Sequence, residues 1–166
     1  MNSVTLTDIK IRTTLLPGDL GYVAHLHGKL YEEECKYGLN FEKYVMKGLY
    51  EFMENYNPDN ERVWICEHNE KIIGFLLGCK KEESLQLRYF IILPEYRGVG
   101  LANKLMEHFV FFMRAKGYGH SYLWTTEEQK AAKHLYKKFN FQLTQEKFSK
   151  DTFSKEITEQ RFDLHL

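Results

Sequence analysis

The chain has 166 residues, 43% hydrophobic and 15% aromatic, which is material for one buried core and argues against disorder. Lysine plus arginine and aspartate plus glutamate balance at 23 each, so no overall nucleic-acid or membrane-surface footprint is expected and any anionic ligand must be held locally. Cys35, Cys66 and Cys79 are too far apart for zinc or dithiol chemistry, so reduced thiols and no metal site are expected.

Met1 to Lys10 alternate polar and apolar residues without a long hydrophobic run, which predicts neither a leader nor a membrane span and points to a cytoplasmic protein. No repeat or proline-rich linker intervenes, so one domain is expected over residues 1–166. Ile9 to Thr13 reads as a short strand. Pro17-Gly18-Asp19 is a turn whose aspartate can cap a helix running to about Tyr37, with Gly38 ending it. A second helix starts near Asn40, carries Phe41, Tyr44, Val45, Leu49 and Phe52 at helical spacing, and stops in Asn55-Tyr56-Asn57-Pro58.

Val63 to Glu67 and Lys71 to Cys79 are strand-like runs flanking His68-Asn69-Glu70, the pattern of an antiparallel hairpin. A turn at Lys81 to Glu83 leads into Leu85 to Leu93. A glycine turn, a long helix over Gly98 to Lys116 and a strand at Ser121 to Thr125 follow, and that crossover makes the two strands parallel. A fourth helix, about Glu127 to Phe139, places Ala131, Ala132, Leu135 and Phe139 on one face, with Asn140 at the left-handed closing position. Phe141 to Lys147 and Lys155 to Leu166 end the chain as strands. The fold class is α/β: a mixed, mostly antiparallel sheet of six or seven strands with a central parallel pair, flanked by about four helices.

Tyr96-Arg97-Gly98-Val99-Gly100-Leu101-Ala102 lies between an apolar strand and a helix whose inner face is Leu101, Leu105, Phe109 and Phe112. Helix starts carry unpaired N–H groups and partial positive charge, and two glycines let a phosphate approach them. The same glycines also suit a turn that only makes the corner. A dinucleotide fingerprint needs a third glycine where Asn103 stands, and a P-loop needs a Gly-Lys-Ser/Thr run that is missing.

With Leu93 to Ala102 read together, the segment resembles the acetyl-CoA motif of the GNAT superfamily of N-acetyltransferases. Ala131 to Phe141 is similar to that family's second block, in which a helical tyrosine precedes a Gly-Phe pair; Asn140 replaces the usual glycine. Further matches at His27 to Tyr31, Phe41 to Val45, Leu87-Arg88, Leu123 to Thr125 and Glu159 to Leu164 resemble the acetyltransferase halves of proteins that fuse a MarR-type regulator to a GNAT domain. Without a DNA-binding half, the expectation is a free-standing catalytic module.

The resemblance implies that backbone N–H groups of Arg97, Gly98, Val99, Gly100, Leu101 and Ala102 hold the pyrophosphate of acetyl-CoA. It implies that Ile91 and Ile92 pair with the pantetheine amides as an added strand, the two parallel strands splaying so that the thioester lies in the gap. An N–H near Ile92 would bond the thioester oxygen. Gln129 stands where many members carry an asparagine that bonds pantetheine. Tyr136 is the implied general acid, a phenol able to protonate a departing thiolate; without the match it is an aromatic at a helix edge. Trp124 reads as core.

The acceptor amine must lose a proton. His27, Tyr31 and Glu34 continue the helix face of Leu20, Val23 and Ala24, a polar patch on an inward face that suggests an acceptor pocket in which Glu34 or His27 relays the proton. Alternatively, Glu32-Glu33-Glu34 is a solvated helix end and His27 a core histidine bonded to a carbonyl. Arg88 either grips a carboxylate on the acceptor or pairs with a neighbouring acid, and Thr125 is placed near the acyl arm. The leading expectation is acetyl transfer to the amine of a small molecule. The alternatives are acetylation of a protein lysine or N-terminus, and a non-catalytic acyl-CoA sensing module. A homodimer is what the superfamily resemblance implies.

Overall fold

A computed structural model describes residues 4–166; residues 1–3 of the expected domain lie outside the described residues. After a 3-10 helix at Leu6–Asp8 come β1 (Lys10–Arg12), α1 (Asp19–Cys35), α2 (Gly38–Glu54), β2 (Arg62–His68), β3 (Lys71–Lys81) and β4 (Ser84–Ile92). A 3-10 turn at Pro94–Tyr96 leads to α3 (Leu101–Ala115), β5 (His120–Thr126), α4 (Lys130–Lys138), β6 (Gln142–Ser149) and β7 (Ile157–His165). The sheet order is β1-β2-β3-β4-β5-β7-β6. The pairs from β1 to β4, and β6 with β7, are antiparallel. Because β4 and its neighbour β5 are joined through α3, they form the parallel pair of a mixed sheet, the architecture expected from sequence. The chain divides into two compact units, Met1–Leu15 with Pro58–Ser121 and Leu166, and Leu16–Asn57 with Tyr122–His165.

In the first unit, the hairpin between β2 and β3 closes on Asn69 and Glu70, both at positive φ (49° and 62°), the backbone of a two-residue hairpin turn. Residues 72–79 of β3 are all buried, as expected of a strand covered on both faces. Helix α3 buries Leu101, Leu105, Met106, Phe109, Phe112 and Met113, each contributing about 1.5–3 kcal/mol relative to exposure. Trp64 of β2 packs against Phe109 and Phe112 at centroid distances of 6.0 and 5.9 Å. At Gly78 of β3, a Cβ would meet Phe109 and Leu85 at 3.3 Å, so the missing side chain lets the helix sit close.

Strand β4 is interrupted. Leu77 pairs with Arg88 and Phe75 with Ile91, so Leu76 faces two residues, Tyr89 and Phe90, and Tyr89 takes φ +54°. This is a β-bulge, one extra residue that bends the strand just before the cofactor turn.

In the second unit, the helix ends differ in detail from expectation. Asp19 is the first residue of α1 rather than its cap: Gly18 precedes it at φ +97°, and the Asp19 carboxylate accepts the Leu16 N–H at 2.6 Å. Lys36, at φ 59°, closes α1, while Gly38 opens α2 instead of ending α1. The Gly38 N–H donates to Glu32 Oε2 at 2.9 Å, a side-chain acceptor that replaces the missing helical one. A Cβ on Gly28 of α1 would come within 2.9 Å of the Glu42 side chain of α2, so the helices pack closely there.

Helix α4 starts three residues later than expected because the Gln129 N–H turns back to the Thr126 carbonyl. Its buried residue is Tyr136, whereas Ala131 is exposed; Asn140 closes the helix at φ +66°, as its position predicts. Trp124 is half-buried rather than core, with the Lys147 ammonium 4.5 Å above its ring. A core of Tyr37, Phe153 and Ile157, flanked by Tyr31, Cys35 and Phe41, fills this unit between its helices and β7.

Candidate active site

The cofactor-turn residues are contiguous in the first unit. Gly98 and Gly100 take φ +81° and +91°, a region L-residues avoid, and Gly100 is the N-cap of α3. A Cβ built on either glycine meets no atom within 4 Å, so the space over the helix start is open. The Lys104 N–H is the first to reach back along the helix, to the Gly100 carbonyl at 3.1 Å. The amides before it have no acceptor within the helix and carry the positive end of its dipole. That is the donor set a diphosphate requires, and the residues present fit it.

Two contacts brace the turn. Arg97 Nε donates to the Ile92 carbonyl at 3.1 Å. Tyr96 Oη lies 3.0 Å from Nδ1 of His68, at the end of β2. The Leu93 N–H donates to the Ile73 carbonyl at 2.9 Å. Because backbone groups alternate along a strand, Ile91 also spends its main-chain groups on β3, while the N–H and carbonyl of Ile92 point to the opposite edge. Ile91 is buried and Ile92 half-buried. Arg88 is half-buried before the bulge, its guanidinium 4.6 Å over the Tyr89 ring.

The residues assigned to acyl and acceptor chemistry lie in the second unit. His27 is 2% exposed, with Nδ1 2.8 Å from the Val23 carbonyl, and burial pulls its pKa down to about 4. At neutral pH it is an uncharged and weak base. Tyr31 stacks between His27 (5.8 Å) and Tyr37 (5.6 Å), while Glu34 is exposed one turn on. Tyr136 is 6% exposed, beside Phe141 and Phe162; burial, reinforced by nearby Tyr31, raises its pKa, so the phenol keeps its proton at physiological pH. Thr125 is half-buried.

Gln129 donates from Nε2 to Cys35 Sγ at 3.2 Å. Next to it, Tyr37 Oη and Thr126 Oγ1 are 2.7 Å apart. The Lys155 ammonium sits at 2.6 Å from the Cys35 carbonyl and 2.8 Å from Glu128, closing this end of the unit. Tyr37 and Thr126 carry no periodic signal, since Tyr37 lies just past the left-handed residue Lys36 that turns the chain out of α1. Cys66 and Cys79 are buried, with pKa values pushed up to about 12 and about 11, which makes both thiols inert. Among the described residues, no three His, Cys, Asp or Glu side chains gather as a metal site.

The model of the acetyltransferase (GNAT) family matches residues 28–141. The chain belongs to the GNAT family. Its GNAT relatives include human N-acetyltransferase 8B, 31% identical over 51% of this chain and 40% of that protein, so the chain spans less than half of that relative. Among solved structures, an acetyltransferase from Streptococcus agalactiae is 22% identical with a TM-score of 0.78 over 97% of this chain and all of that one. The spermidine N-acetyltransferase of Vibrio cholerae, in complex with CoA and spermine, is 18% identical with a TM-score of 0.70 over 96% of both chains. The GNAT acyl donor is acetyl-CoA, and the open glycine turn at the start of α3 has the donor chemistry that a diphosphate needs.

Proposed function

We propose that this chain is a single GNAT domain over residues 1–166 that transfers the acetyl group of acetyl-CoA to the primary amine of a small, amino-acid-like or amine metabolite in the cytoplasm. The carrying observation is the pair of positive-φ glycines with nothing over them at the start of a helix. In this reading the amides from Gly98 to Ala102 bind the diphosphate, while the Arg97 N–H, expected among them, is spent on the Pro94 carbonyl at 3.1 Å. Ile92, whose main chain points away from β3, offers its N–H to the thioester oxygen, and Ile91 holds that strand in register. Such a donor stabilises charge that develops during attack.

Tyr136 directs its hydroxyl toward the departing sulfur; burial keeps the phenol protonated, and because the thiol is the stronger acid its help is a hydrogen bond to the developing thiolate rather than full proton transfer. Gln129 and Thr125 line the acyl arm. Tyr31 and Arg88 contact the acceptor. Between the two bases considered from sequence, exposed Glu34 is favoured over His27 as the relay, since a buried histidine with a pKa near 4 holds a proton poorly at pH 7. Within the family we read the chain as nearest the acetyltransferase halves of MarR-GNAT fusion proteins.

The test is release of thiol from acetyl-CoA over a panel of polyamines, amino acids, aryl amines and lysine peptides. Turnover with a free amine, falling at least about tenfold in Tyr136→Phe with CoA affinity unchanged, is the expected result. Turnover confined to peptides would move the acceptor to proteins. Tight CoA binding with no turnover on any amine would leave only an acyl-CoA sensor.

A further inference from the structure

Helix α2 presents an apolar seam that none of the described residues covers. Leu39, Met46, Tyr50 and Met53 are 80%, 56%, 65% and 47% exposed. Together with Lys43 they recur at alternating spacings of four and three, which puts all five on one narrow stripe, the pattern by which one helix packs along another. Isolated exposed apolar side chains are ordinary, but a four-turn stripe on one helix is not.

The charges beside the stripe identify its partner. On one flank, Lys43 and Lys47 stand in the N-terminal half of α2 and Glu51 and Glu54 in its C-terminal half, all exposed. When two copies of a helix pack antiparallel about a two-fold axis, like flanks meet and their N- and C-terminal halves face each other. Each lysine pair then meets the glutamate pair of the other copy, and Met46 lies near the axis against its own symmetry mate. A parallel two-fold pairing would set this flank against the opposite one, and the lysine and glutamate pairs would not meet. Among the described residues, Lys47 pairs with Glu51 at 3.8 Å and Tyr50 Oη donates to Glu54 at 2.9 Å, exposed contacts that exchange readily.

The same arrangement fills a cavity. An open groove of about 420 Å³ lies beside Leu39, lined by His25, Gly28, Lys29 and Glu32 of α1 and by Gly38 and Glu42 at the start of α2. In the antiparallel register, Leu39 faces Met53 of the second copy, a flexible apolar side chain suited to an irregular groove. Because α1 lines the groove, it joins the contact and widens it beyond a single helix face.

We infer that the α2 seam is the homodimer interface of this protein, formed by a second copy packed antiparallel with its Met53 seated in the groove beside Leu39. The inference is independent of the acceptor assignment. Sedimentation velocity on the full chain at micromolar concentration should give a species of twice the 19.8 kDa chain mass. Met46→Glu, an exposed change that should leave the circular dichroism and melting temperature unaltered, should raise the dimer dissociation constant at least about tenfold. Lys43→Glu with Lys47→Glu should weaken the dimer, and adding Glu51→Lys with Glu54→Lys to the same chain should restore it. A monomeric wild-type protein, a dimer indifferent to Met46→Glu, or a fourfold charge variant that stays monomeric each overturns the inference.

Discussion

Replacing Gly100 by alanine separates what the turn does for the fold from what it does for the cofactor. Gly100 sits at φ +91°, and an added Cβ meets nothing within 4 Å, so no side chain or helix must move. The cost to the free protein is then backbone strain alone, about 1–2 kcal/mol for an L-residue in the left-handed region. For a chain of this size that lowers the melting temperature by roughly 2–8 °C. The cost to binding is of another kind. The methyl occupies the open space over the helix start, and each charge-assisted hydrogen bond lost there is worth about 1.5–3 kcal/mol, so losing one or two weakens CoA binding roughly 10- to 1,000-fold or more.

Gly117, just beyond the other end of α3, supplies the matched control, since it too has positive φ (+76°) and nothing within 4 Å of an added Cβ. Calorimetric titration of CoA into both variants, with melting curves, should show similar losses of stability and a loss of affinity in Gly100→Ala alone. Unchanged affinity in folded Gly100→Ala would refute the placement of the diphosphate, and an equal loss in both variants would show that the effect is strain.

Two further outcomes are expected. His27 is neutral in the fold down to about pH 4, whereas in the unfolded chain it binds a proton below its ordinary 6.5; its stabilising effect is complete above pH 6.5 and drains away as pH falls toward 4. The full loss is about 3 kcal/mol, so urea unfolding at a series of pH values should show a shallower acid dependence in His27→Gln than in wild type. Gly78→Val would press two methyl groups into Phe109 and Leu85, and its unfolding free energy should fall by about 1–3 kcal/mol through overpacking, with a lower denaturation midpoint as the readout.

The architecture was legible where apolar periodicity and turn chemistry agree. The inner face of α3, the Asn69-Glu70 hairpin and the left-handed Asn140 all stand where their local patterns place them. Helix ends were read less well, because the glycines at 18 and 38 each begin a helix, and Lys36 adopts the closing conformation that composition assigns to glycine. The bulge at Tyr89 left no trace in the sequence, since an extra residue in an apolar run keeps the run apolar. Around the site, the glycine turn was visible as a local motif. The burial of Tyr136 was not, because it depends on which distant side chains close over it, whereas a core His27 bonded to a carbonyl was one of the two readings its sequence allowed; the Tyr37 and Thr126 pair joins residues 89 positions apart.

The extra residue in β4 has a consequence beyond bending. Side chains and peptide dipoles alternate along an extended strand with a period of two, so inserting one residue reverses the phase of everything that follows. Had β4 run unbroken from Ser84, the main chain of Ile91 would look outward and that of Ile92 would be spent on β3. Deleting Phe90 would therefore straighten the strand while leaving Ile91 opposite Phe75 and Ile92 outward, so the bend would be lost but the outward amide kept.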